Sequence, residues 1–154
     1  MFRLVSAVIA AWALTAHSAH AWRCISSTDK LTDKVNVTAM LRSDNAEEFK
    51  FPYGGGSSFY LGLHEGGRIL FMSVSRGQLD CGRNCSIQMR IDEGEPLTIK
   101  PDSASSRGMT ILDPETITRI TSAQKLRIRV PVYENGFPVF LFTLPGPPEC
   151  WAKQ

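Results

Sequence analysis

Four groups of residues have types and spacings that could carry chemistry. His64 precedes Glu65, and with Ser57 or Ser58 as nucleophile it would supply the imidazole of an acyl-transfer triad. No Gly-x-Ser-x-Gly elbow accompanies it, and His64-Glu65-Gly66-Gly67 reads as a hairpin turn. Asp92-Glu93-Gly94-Glu95 could pair carboxylates such as Glu93 and Glu95 for acid and base work, as in glycoside hydrolysis. Its place at a Gly and Pro turn between two strands reads instead as a solvated loop. No catalytic residue is therefore expected.

The other two groups suit binding. In Phe51-Pro52-Tyr53-Gly54-Gly55-Gly56-Ser57-Ser58 the amides of Gly54 and Gly55 could approach a phosphate or carboxylate while Tyr53 stacks or hydrogen-bonds. The run lacks the lysine and following helix of a phosphate-binding P-loop, and a flexible turn is the competing reading. Arg127 and Arg129, with Lys125 on the same strand face and Arg119 nearby, make a basic stripe. It could meet an anionic glycan, a lipid headgroup or an acidic protein patch. The competing reading is a solvated strand face whose cations guard a sheet edge. Tyr53, Gly54, Gly55, Arg127 and Arg129 are the candidate binding residues.

The compartment follows from the start of the chain and from the cysteines. Met1 to Ala21 carries Arg3, an apolar run from Leu4 to Leu14 and the small-residue ending Ala19-His20-Ala21, the three-part layout of a secretory signal. The apolar run is about half the roughly 20 residues a spanning helix needs, so cleavage without a membrane anchor is expected. Of 154 residues this leaves 133, Trp22–Gln154, with 16 basic against 15 acidic side chains and His64 as the one histidine. Such near-neutrality excludes a dedicated nucleic-acid binder.

Cys24, Cys81, Cys85 and Cys150 all lie after the signal, and four cysteines in a small exported domain read as disulfides with three possible connectivities. Proximity favours Cys81 with Cys85, around Gly82-Arg83-Asn84, and Cys24 with Cys150, around the whole domain. No Cys-x-x-Cys pair stands beside the lone histidine, so no metal or cofactor is expected. Trp22 and Trp151 flank the longer bridge and read as packing around it.

The elements that must position these groups are short strands between Gly, Pro, Asn and Asp clusters. Alternation predicts strands near Lys34–Leu41, Phe49–Phe51, Ser58–Leu63, Arg68–Leu79, Ser86–Asp92, Leu97–Lys100 and Met109–Leu112. Arg68–Leu79 and Ser86–Asp92 are expected to form a hairpin with the Cys81 to Cys85 loop at its tip. Asp113 followed by Pro114 predicts a short helix over 114–121. Leu126, Ile128, Val130 and Val132 alternate with Lys125, Arg127 and Arg129, then turn at Glu134-Asn135-Gly136 into Phe137–Leu144. Pro131 and Pro138 assign that hairpin to an exposed edge. The fold class is mainly β, a compact antiparallel β-sandwich or barrel with one short helix before the C-terminal hairpin.

Phe51-Pro52-Tyr53-Gly54-Gly55, then Gly77-Gln78 with Cys81, Cys85 and a strand ending in Asp92, then the hairpin from Ile128 to Gly146, together resemble a recurrent but uncharacterised group of small exported proteins of Gram-negative bacteria. The resemblance covers most of the chain after the signal. It implies a periplasmic setting and no activity, so it transfers no site residue. The expected function is that of a periplasmic or secreted binding protein without catalysis, such as an inhibitor or immunity-type protein. Its partner would be an exported protein or an anionic envelope component. An envelope-polymer hydrolase using His64 or the carboxylates is the alternative, and a structural or stress-related envelope component is the third.

Overall fold

The computed structural model describes residues 21–82 and 84–151. The expected signal segment, apart from Ala21, and Arg83 lie outside the described residues. The strands are β1 (Arg23–Thr28), β2 (Val35–Arg42), β3 (Glu47–Phe49), β4 (Gly55–Ser57), β5 (Phe59–His64), β6 (Ile69–Val74), β7 (Ile87–Ile91), β8 (Leu97–Ile99), β9 (Ser103–Ala104), β10 (Met109–Ile111), β11 (Lys125–Arg129) and β12 (Val139–Thr143). A helix, α1 (Pro114–Ser122), precedes the last two.

Alternation in the sequence becomes two antiparallel sheets that bury one face each. In the six-stranded sheet, ordered β1-β2-β5-β6-β10-β9, the inward residues include Leu41, Phe59, Leu61, Leu63, Leu70 and Met72, all buried. In the four-stranded sheet, ordered β12-β11-β7-β8, Ile87, Met89, Leu126, Ile128, Phe140 and Phe142 answer them. Phe59 stacks on Phe140 at 5.0 Å between ring centroids and meets Phe142 edge-on at 6.4 Å, so the two layers close as a sandwich through these rings. Helix α1 adds Ile117 and Ile120 to the core, and its Asp113 cap accepts a hydrogen bond from the Thr116 amide at 2.8 Å.

The expected hairpin between Arg68–Leu79 and Ser86–Asp92 does not form. Strand β6 ends at Val74 and pairs with β5 and β10, whereas β7 pairs with β11 and β8 in the other sheet. The Cys81–Cys85 bridge therefore staples a crossover between layers. Alternation specifies which face of a strand is buried but not which neighbour takes its hydrogen bonds, and here each strand found a better-matched partner elsewhere. Strand β1 also has no precursor among the expected elements, because all six of its residues are exposed and nothing in their pattern signals burial.

The long bridge joins Cys24 to Cys150, with their Cα atoms 6.1 Å apart. Around it, Trp22 donates its indole N–H to the Gly146 carbonyl at 2.7 Å, and Trp151 packs on Gly67 so closely that a Cβ there would lie 2.7 Å from the ring. Two disulfides are what a protein of an oxidising, exported compartment carries. Among the described residues no helix is long and apolar enough to cross a membrane.

Candidate functional site

The outer face of the four-stranded sheet collects the basic stripe. Register sets Arg127 of β11 between Arg90 of β7 and Leu141 of β12, and Arg129 between Gln88 and Val139. Strand β11 is interior, flanked on both sides, so guarding an edge does not account for its cations. Arg129 donates to Gln88 Oε1 at 3.0 Å, and Arg90 donates to the Gly94 carbonyl at 2.9 Å and to Glu93 Oε2 at 3.4 Å. Arg127 has neither a hydrogen bond nor an ion pair among the described residues.

That arrangement opposes folding. Like charges directly across two strands are destabilising, and Arg90 faces Arg127 while Glu93 is engaged by Arg90. A shallow depression of about 230 Å³ opens between Arg90, Arg127, Arg129, Pro96 and Val139. It is smaller than the ~300–1,000 Å³ usual for a small-molecule site, and a second depression of about 550 Å³ adjoins it at Gln88, Arg129 and Phe137. Phe137, 69% exposed, and Leu141, 40% exposed, add apolar surface beside the cations. Arginine and aromatic residues are types enriched in protein–protein interfaces relative to other surfaces.

The glycine-rich run has a different place. Gly55–Ser57 is strand β4, paired with β3, rather than a flexible turn, and the turn itself is Lys50 to Tyr53, closed by the Tyr53 amide donating to the Lys50 carbonyl at 3.1 Å. Lys50 also donates its amide to Asn135 Oδ1 at 2.7 Å, which ties this turn to the C-terminal hairpin. Tyr53 lies half-buried against the core edge, and Gly54 accepts from Arg76 at 3.5 Å. Tyr53, Gly54 and Gly55 thus lie apart from the depression that Arg127 and Arg129 line. Beneath them Gly77, at φ +88°, leaves room for Phe49, whose ring would stand 2.9 Å from a Cβ at that position. Gly77→Ala is expected to lower the unfolding free energy by roughly 1–3 kcal/mol in urea titration, since both the backbone and the buried ring resist the methyl.

The residues of the hydrolytic reading are dispersed. His64 Nδ1 and Thr38 Oγ1 share a hydrogen bond at 3.0 Å on the six-stranded sheet, while Glu93 and Glu95 occupy the turn after β7 on the other. Asp92 accepts from the amides of Gln124 and Lys125, both at 2.8 Å, and so clamps the entry to β11. Ser57 donates to the Arg76 carbonyl and Ser58 accepts from Arg42, which commits both buried hydroxyls to bracing β5. Among the described residues no three His, Cys, Asp or Glu side chains are arranged to hold a metal ion.

The partners that sequence reading missed are Arg90 and Gln88. They stand 37 and 41 residues before the arginines they face, and only strand pairing links them. No family model, curated protein or solved structure matches the chain.

Proposed function

We propose that this is a periplasmic binding protein without catalysis, which holds an acidic patch of another exported protein against the outer face of its four-stranded sheet. An inhibitor or immunity-type protein is the functional class this describes. The observation that carries the reading is Arg127, a guanidinium without an ion pair among the described residues, on an interior strand between Arg90 and Leu141, with Arg129 and exposed Phe137 on the same face. A rigid strand presents such a group with little ordering left to do on binding. The separation of His64 from Glu93 and Glu95 supports the non-catalytic side of the reading.

The test is capture of periplasmic proteins on the immobilised chain. The unaltered protein is expected to retain a partner that Arg127→Glu with Arg129→Glu retains at least ~10-fold less, because reversing a desolvated charge costs several kcal/mol. Retention should also fall as salt is raised. Equal capture by the double variant would overturn the assignment of this face.

A further inference from the structure

The two principal sheets have four edges, and three of them are blunted. Strand β9 has two residues and β8 three. On β12, Asn45 donates to the Val139 carbonyl at 2.9 Å and accepts from the Leu141 amide at 2.8 Å, while the Asp44 amide donates to the Leu141 carbonyl at 2.7 Å. Those contacts take up both outward groups of Leu141 and the carbonyl of Val139, and so block the middle of that edge. Strand β1 is different. It has six residues, all exposed, with no proline, no lysine and an unbroken register against β2, so of the devices by which edges are normally protected it carries one charge, Arg23 at its end.

Which of its backbone groups are open follows from one hydrogen bond. The Asp29 amide donates to the Lys34 carbonyl, which makes 29 and 34 a hydrogen-bonded pair. Because such pairs alternate along an antiparallel ladder, Arg23, Ile25 and Ser27 are the residues bonded to β2. The N–H and C=O groups of Cys24, Ser26 and Thr28 therefore point away from β2, toward the open edge.

We propose that two copies of this chain associate through β1, antiparallel and centred on Ser26, so that Arg23 of each copy stands opposite Asp29 of the other.

In this register Ser26 faces Ser26 and Cys24 faces Thr28, so all the outward-pointing residues exchange N–H···O bonds. Arg23 and Asp29 fall in a pair without ladder hydrogen bonds, where facing side chains approach most closely. Both are available for it. Arg23 has no ion pair among the described residues, and the Asp29 carboxylate is held ionised by the Leu31 and Thr32 amides, both on Oδ1, with a smaller contribution from the Thr32 hydroxyl. The alternative, parallel pairing, would set like charges side by side. Two-fold symmetry also closes the contact, so no open filament results.

The contact spans about 20 Å of strand and buries less than the ~1,200 Å² of a standard interface, so the dimer is weak and depends on concentration. Sedimentation velocity of the disulfide-bonded protein from about 10 µM to about 1 mM is expected to move from monomer toward dimer. Ser26→Pro removes the central outward N–H without touching the bonds to β2, and is expected to abolish the dimer while leaving the circular dichroism unchanged. Arg23→Glu is expected to weaken it about 10-fold, as is Asp29→Asn, which keeps an acceptor for the turn amides. Monomer throughout the range, a dimer indifferent to Ser26→Pro, or one indifferent to Arg23→Glu would each overturn the proposal.

Discussion

Replacing Cys24 and Cys150 by serine is expected to lower the unfolding free energy by up to about 5 kcal/mol, and Tm by roughly 15–20 °C. The bridge spans 126 residues, so cutting it returns to the unfolded chain nearly all the freedom that closing the domain had removed. Domains of this size have only about 5–15 kcal/mol to lose, so the variant stands near the limit of folding at 37 °C. The short bridge makes the control. Cys81 and Cys85 are four residues apart, and the same chain-entropy argument gives their removal about 2 kcal/mol at most. Guanidinium titrations of the two double-serine variants should therefore differ by at least ~2 kcal/mol. Equal losses would show that the long bridge acts through native contacts around Trp22 and Trp151 rather than through the unfolded state.

Phe59→Ala is expected to cost about 3–5 kcal/mol. Its ring is fully buried where the two sheets meet and touches Phe140 and Phe142 of the opposite layer, so truncation opens a cavity that rigid strands on both sides cannot collapse into. A double-mutant cycle with Phe140→Ala should return a coupling of about 0.5–1.5 kcal/mol, the increment of a stacked aromatic pair beyond its buried area. Phe51→Ala, which removes a ring that is 90% exposed, should change stability by less than about 0.5 kcal/mol. A loss at Phe51 comparable to that at Phe59 would mean that the turn at 50–53 packs on something absent from this arrangement of the chain. Urea titration at unchanged m reads all three.

Much of the architecture was legible because burial on one face writes itself as alternation. Val35–Arg42, Phe59–His64, Ile87–Ile91 and Lys125–Arg129 lie where period-two patterning put strands, and Pro114–Ser122 begins where Asp113 and Pro114 announce a helix. The turn at 134–136 was legible too, although Glu134 and Gly136, not Asn135, take the positive φ there. Asn135 serves differently, with its side chain joining Lys50 to the Tyr133 carbonyl. Strand β1 was illegible because an exposed ribbon with no buried side has no periodicity to read. The β3–β4 ribbon was hidden by its glycines, which suit a turn as well as a strand that lets Glu48 and Arg76 approach.

The candidate site divides along the same line. That Lys125, Arg127 and Arg129 share one face was readable from spacing alone, since side chains two apart on a strand must point the same way. Such local rules, together with the even cysteine count, also carried the fold class and the expectation of an oxidising compartment. What the chain order could not say is that Arg90 would stand against Arg127, that β11 would be interior, or that β6 and β7 would part into different sheets. Those outcomes depend on which strand edges meet, and edges offer nearly identical backbone groups, so the choice falls to the packing of Phe59 against Phe140 and the rest of the core. Placing His64 and Glu93 on different sheets, setting Arg127 against Arg90 and leaving β1 at an edge are consequences of that global packing.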